Sequence, residues 1–256
     1  MSRPKQNYYG SLCAEMYEIL HETAPREELD FYLSYAEKGK KILEPLCGSG
    51  RFLVPFMERG FDITGLDLSE EMLNKLKEKA PGAKVHRADI TEYFTEERFD
   101  YIFISSGSVS LFTDIDLCKR TLKKLKEMLT QKGRLVFAVD TAAARCPDDR
   151  DYKLSVSVKT KEGFDLTLKS RNFYDVSSQT QFSPGIYELY DGTELLQRET
   201  MDFQTHLYKF GEMERYLREI GFEKIKTYSS FQKEIAAGNF REDLFFRLSV
   251  FRRQQM

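Results

Sequence analysis

The stretch ILEPLCGSGRF, residues 42–52, decides the fold. Strand-forming residues run into a small-residue loop, and a helical pattern begins directly after it. Gly48 and Gly50 let the backbone take positive φ and come close to a ligand. A loop that leaves the carboxyl end of a parallel strand opens at the usual ligand crevice of an α/β sheet. The helix after it offers free N–H groups to an anion. On its own such a loop is equally a plain strand-to-helix turn, so its neighbours carry the reading.

Working outward, strands and helices alternate on both sides of the loop. Residues 8–37 read as helical, with Leu12, Met16, Ile19 and Leu20 on one face and a second helix starting after Pro25. Strands are expected at 41–46, 62–67, 83–88, 99–105 and 134–140, and helices at 51–58, 69–79 and 114–129. Apolar strands alternating with helices imply a doubly wound α/β domain with a parallel sheet covered on both faces. From residue 152 the pattern changes to apolar/polar alternation broken by turn signals at 162–163, 177–178 and 191–192. This predicts an antiparallel β insertion of three or four strands. A helix at 213–220 and strands at 223–231 and 244–252 then complete the sheet. The expected division is 1–150 for the N-terminal helices and cofactor-binding part, 151–207 for the insertion as a cover over the substrate, and 208–256 for the C-terminal completion.

Several residues gather at one edge of this sheet. Asp67 ends the second strand, Asp89 follows the third, and the small-residue run Ser105-Ser106-Gly107-Ser108 follows the fourth. A carboxylate at the position of Asp67 can accept both hydroxyls of a ribose. Two nucleotide cofactors compete for such a site. A dinucleotide fold wants G-x-G-x-x-G, and here Leu53 stands where the third glycine would be. Glu44, just before the loop, would repel a pyrophosphate but suits a cation. S-adenosyl-L-methionine carries a sulfonium and an ammonium, and the local charges favour it over NAD.

The motifs ILEPLCGSGR, TGLDLSEEML, ADI, FDYIFISSGSVSLFTD, GRLVFAVD, YLREIGFEKIKTY and LFFRLSVFRR together resemble the class I S-adenosylmethionine-dependent methyltransferases. The resemblance implies a Rossmann-like seven-stranded sheet with an antiparallel last strand. It also implies residue roles. Glu44 would hold the methionyl ammonium. Cys47, Gly48 and Gly50 would bring the loop against the methionine part. Asp67 would bind the ribose, with Leu68 on the adenine; Met72 is a further candidate cofactor-binding residue. Asp89 would accept from the adenine amino group with Ile90 against the ring, and Ser105 and Ser106 would lie under the methionyl chain. Tyr17 would close over the cofactor from the N-terminal helix, with Tyr8 and Tyr9. Arg51 either pairs with the cofactor carboxylate or is a surface charge in a helix's first turn. One departure stands out: the family's usual glycine is replaced by Leu46. Cys47 reads as a small loop residue and not as a nucleophile.

The implied reaction is methyl transfer to a nitrogen or oxygen of a small-molecule acceptor by in-line displacement; the competing reading is a non-catalytic cofactor-binding or scaffold protein of the same fold. His206, at the end of the insertion, is the candidate base; His21 and His86 read as structural. Six aromatic residues of the insertion, Tyr152, Phe173, Tyr174, Phe182, Tyr187 and Tyr190, are candidates for an acceptor pocket.

Bulk composition agrees with a small-molecule enzyme. The 256 residues hold 39 basic and 41 acidic side chains, a formal net charge of −2. Neither that balance nor the insertion, which lacks a basic stripe, suggests a nucleic-acid partner. The four cysteines form no C-x-x-C pair, so no metal site is expected. No apolar run is long enough to span a membrane, and no secretory leader is evident. A cytoplasmic monomer or homodimer is expected.

Overall fold

The computed structural model of the chain describes residues 7–234 and 246–253. Helices α1 (Ser11–Leu20) and α2 (Arg26–Leu33) come first. Then follow β1 (Lys41–Pro45), α3 (Leu53–Glu58), β2 (Asp62–Asp67), α4 (Glu70–Lys79), β3 (Lys84–Arg87), β4 (Phe99–Ile104), α5 (Ile115–Met128) and β5 (Leu129–Asp140). The insertion holds β6 (Lys153–Lys159), β7 (Asp165–Ser170), β8 (Phe173–Asp175), β9 (Thr180–Phe182), β10 (Gly185–Asp191), β11 (Glu194–Met201) and β12 (Gln204–His206). Helix α6 (Glu212–Ile220), β13 (Phe222–Tyr228) and β14 (Phe246–Arg253) close the chain.

The central sheet has seven strands in the order β13-β14-β5-β4-β1-β2-β3. Strands β1 to β5 are mutually parallel, and β14 runs antiparallel to both β5 and β13. Side-chain alternation explains the two-sided cover. Leu43, Ile102, Ile104, Leu135, Phe137 and Val139 pack with α5 and α6 on one face. Their neighbours Ile42, Tyr101, Phe103, Val136 and Ala138 pack with α2, α3 and α4 on the other. The strands are apolar on both sides because both sides are buried.

Several boundaries differ from the expectation, with β5 starting at Leu129 and not at residue 134, and three others have a plain physical cause. Strand β1 ends at Pro45, because Leu46 takes φ +58° and turns the chain. Helix α3 starts at Leu53, since residues 51–52 belong to the turn. Strand β13 stops at Tyr228, where the Ser229 N–H turns to the Glu234 carbonyl. The expected start of the last strand at residue 244 lies outside the described residues.

The insertion is richer than its alternation suggests. Seven strands form two sheets, β11-β10-β7-β6 and β12-β9-β8. The strands β8, β9 and β12 are only three residues long, too short for a period-two pattern to register. Helix α1 packs on the larger sheet: Leu12, Cys13 and Met16 meet Leu166, Tyr187 and Met201. The Glu199 carboxylate of β11 accepts from the N–H of Leu12 at 3.1 Å and of Cys13 at 3.4 Å, acting as an N-terminal cap delivered from another element. On its other side α1 is joined to α4 by the ion pairs Lys75–Glu15 and Lys79–Glu18.

Candidate functional site

A cavity of about 320 Å³ lies over the carboxyl ends of β4, β1, β2 and β3. Each wall has a local cause. Strand β2 ends at Asp67, whose Oδ2 accepts from Gly48 N–H at 2.8 Å and whose Oδ1 accepts from Ser69 N–H at 2.9 Å. The carboxylate thus ties the glycine loop to the start of α4. Burial raises its pKa, opposed by the backbone N–H groups of Ser69, Gly48 and Leu68. Ser69 caps α4 by accepting from Met72 N–H at 3.1 Å and donates to the Tyr9 carbonyl at 2.7 Å. After β3, Asp89 accepts from the N–H and hydroxyl of Thr91, which sets the turn that carries Ile90.

The loop itself is strained where it meets the cavity. Leu46, in place of the family's usual glycine, adopts the glycine-like conformation at φ +58°, at a cost of about 1–2 kcal/mol. Gly48 and Gly50 have φ +53° and +81°. Gly50 does not line the cavity; a Cβ there would sit 2.7 Å from Leu76 Cγ, so this glycine lets the loop press on α4.

At the end of β4, Ser106 is a second non-glycine residue in the left-handed region, with φ +55°. It is held from two sides: Glu28 of α2 accepts from its N–H at 2.8 Å, and Arg51 donates to its hydroxyl. Such conformations persist when the surroundings over-determine them. Arg51 is therefore no free surface charge; its guanidinium also lies over the Tyr17 ring at 5.7 Å.

Glu44 sits behind this wall, 1% exposed, with Oε1 accepting from the Ser105 hydroxyl at 3.1 Å and Oε2 without a partner. Burial drives its pKa well above the usual carboxylate range, against the Ser105 bond and the Arg51 charge. Burial likewise raises Glu28. The Arg51 Nε–H is also unpartnered. The wall thus holds one acceptor and one donor left open, complementary to an ammonium and a carboxylate. This donor set fits the amino-acid end of S-adenosylmethionine, as the unoccupied lone pairs of Asp67 fit a ribose.

Of the residues singled out in the sequence, Tyr17, Cys47, Gly48, Arg51, Asp67, Leu68, Met72, Asp89, Ile90, Ser105 and Ser106 line this one cavity, with Tyr8 and Tyr9. Burial pushes the Cys47 thiol well above its ordinary pKa, which suits a packing role. His206 is not brought to the cavity. Its ring is 1% exposed, 4.5 Å from the Tyr208 ring and 3.6 Å from Glu212. The strand β12 that carries it turns it into the junction of the small sheet and α6, so the structure gives it no path to an acceptor. None of the six insertion aromatics lines the cavity: Phe173 stacks on Phe182 at 4.8 Å, Tyr187 packs on α1, and Tyr190 donates to Glu188.

Two acids escaped the sequence reading. Glu28 looked like an ordinary first-turn charge of α2, and only the tertiary fold takes it to Ser106. Asp140 ends β5 as Asp67 ends β2, and that parallel was a usable signal. Among the described residues no cluster suited to a metal ion occurs, and no helix is long and apolar enough to cross a membrane.

Residues 42–133 match the model of a methyltransferase domain. A putative methyltransferase of Geobacillus sp. (strain WCH70) is 25% identical over 91% of this chain and 96% of its own length. Glycine/sarcosine N-methyltransferase of Aphanothece halophytica is 28% identical over 89% of this chain and 84% of its own. Among solved structures, an S-adenosylmethionine-dependent methyltransferase from Clostridium acetobutylicum superposes with a TM-score of 0.76, covering 94% of this chain and 98% of that one at 15% identity.

Proposed function

We propose, from the premise that this chain belongs to the class I S-adenosylmethionine-dependent methyltransferases, that it methylates the nitrogen of a small amine. The observation that carries the reading is the continuity of one cavity along four strand ends, with an acid or a hydroxyl at each: Asp89, Asp67, Glu44 behind Ser105, and Ser106. Along that line Asp89 and Ile90 hold the adenine, Asp67 the ribose hydroxyls, and the Gly48 loop with Glu44 and Arg51 the amino-acid end. Tyr8, Tyr9 and Tyr17 of the N-terminal segment cover them. When bound, the cofactor supplies an electrophilic methyl on a sulfonium.

The chain's own contribution is alignment and exclusion of water. Well-oriented intramolecular reactions gain about 7–11 kcal/mol from positioning alone. Nitrogen is favoured over oxygen because relatives that match most of this chain and carry a stated substrate include N-methyltransferases of glycine and sarcosine.

The test is calorimetry with S-adenosylhomocysteine against NAD, followed by product formation with small amines and matched alcohols. Micromolar binding of the first nucleotide alone and turnover of amines alone are expected. Turnover of alcohols at equal rate would refute the nitrogen assignment, and binding of neither nucleotide would refute the site.

A further inference from the structure

The proposed cofactor line runs over β3, β2, β1 and β4, and the next strand in sheet order is β5. Its last residue is Asp140. One carboxylate oxygen of Asp140 lies 2.9 Å from where a Cβ on Gly107 would stand. Gly107 has φ +68° and sits between Ser106 and Ser108, both of which line the cavity. Any side chain at 107 would displace the carboxylate, so glycine keeps it against the end of β4.

The backbone of Asp140 is pinned on both sides. Its N–H donates to the Ser110 hydroxyl at 2.7 Å, and its carbonyl accepts from Tyr208 N–H at 2.9 Å. The carboxylate is treated differently: among the described residues no donor and no cation pairs with it. The elements packed against it are the turn Ser108–Leu111, the chain at Tyr208 and strand β14, whose Phe246 is its register partner; the Ser110 hydroxyl meets its N–H, the Tyr208 hydroxyl meets Cys118, and no described charge acts on the carboxylate. Asp140 is not itself part of the cavity lining; it stands behind Gly107, between the lining residues Ser106 and Ser108, a backbone-pinned acid with empty lone pairs at the cavity's edge, one strand beyond the cofactor line.

We propose that Asp140 is the catalytic carboxylate that holds the ammonium form of the amine acceptor and takes its proton. The proposal rests on the amine reading given above. In this step an N–H bond of the ammonium breaks and its electron pair stays on nitrogen. The proton forms an O–H bond on Asp140, and the acid later returns it to water. Burial supports the role by raising the Asp140 pKa to about 7. An ordinary carboxylate is too weak a base for an ammonium, and the shift narrows that mismatch by roughly three decades while the group stays ionised above neutrality.

Three measurements on the intact protein test this, using Asp140→Asn, glycine, sarcosine and a panel of small primary and secondary amines. First, kcat/KM is expected to fall by roughly 10²- to 10⁴-fold, the usual share of a positioned base, with S-adenosylhomocysteine affinity unchanged. Second, the wild-type rate should rise with pH through about 7, and that limb should vanish in the variant. Third, carboxyl-labelled aspartate NMR with S-adenosylhomocysteine bound should show one group titrating near pH 7, absent in Asp140→Asn and moved to lower pH by an active amine. A variant with wild-type kcat/KM and an unaltered pH profile would overturn the role of Asp140 and leave the amine reading standing. Failure of the wild type to methylate any amine while it turns over an alcohol would overturn the amine reading and the proposal with it.

Discussion

Replacing Asp67 with alanine is expected to weaken S-adenosylhomocysteine binding by roughly 150-fold. The magnitude follows from how the carboxylate is already engaged. Each oxygen accepts one backbone N–H, from Gly48 at 2.8 Å and from Ser69 at 2.9 Å, and each keeps a further lone-pair site. Two ribose hydroxyls in those sites make two hydrogen bonds to a charged acceptor, worth about 1.5–3 kcal/mol each. The lower end for the pair, about 3 kcal/mol, corresponds to roughly 150-fold at about 1.4 kcal/mol per decade. Loss of the tether on Gly48 acts in the same direction, because the loop must then be ordered by the ligand. Calorimetry at fixed salt measures the change, and circular dichroism with thermal melting shows whether the variant is folded. A folded variant whose Kd stays within threefold of the wild type would refute both the ribose contact and the placement of the cofactor along β2.

Further outcomes follow from other features of the chain. Gly50→Ala combines a left-handed backbone with a Cβ 2.7 Å from Leu76 Cγ and should destabilise by about 2–5 kcal/mol in urea titration; a loss under about 1 kcal/mol would mean that Leu76 yields freely. Glu199→Ala removes the cap of α1 and should cost about 1 kcal/mol, with faster amide exchange in α1 and none in β1 or β4; equal protection of α1 would contradict the capping role. Asp140 holds its proton more tightly when folded, so it favours the native state at low pH and loses that contribution as pH rises from about 4 to about 7. Asp140→Asn should therefore raise the Tm relative to wild type more at pH 8 than at pH 4, and a pH-independent difference would argue against the raised pKa.

The parts of this molecule legible in its sequence are those whose cause is local. Strands β1, β2, β4 and β5 announce themselves as apolar runs because both faces are buried. The row Glu44, Asp67, Asp89 and Ser105 is readable because strand ends and loop chemistry lie side by side in the chain. What escaped depends on distant partners. Nothing near Glu28 signals a contact 78 residues away with Ser106. His206 was a candidate base because it ends the insertion, near the expected crevice, yet the three-residue strand that carries it turns it inward. The short strands β8 and β9 carry no period long enough to detect. Leu46 is the instructive intermediate case: a missing glycine suggested an altered loop, but the backbone keeps the left-handed turn and bears the strain.

The roof of the cavity also bears on how the protein is made. Asn7 is bonded to Gln204 through its side-chain amide, with Nδ2 donating to the carbonyl and Oδ1 accepting from the N–H, and α1 takes its cap from Glu199. During synthesis the α1 segment therefore waits for residues about 190 positions later before it can settle. Closing contacts of such sequence separation are intrinsically slow. The parallel strands can pair well before then, so a half-synthesised chain would own the glycine loop but no lid. Cover of the cavity by this segment then waits for β11 and β12, and nascent chains should gain protease resistance at residues 7–20 only once residue 204 has emerged.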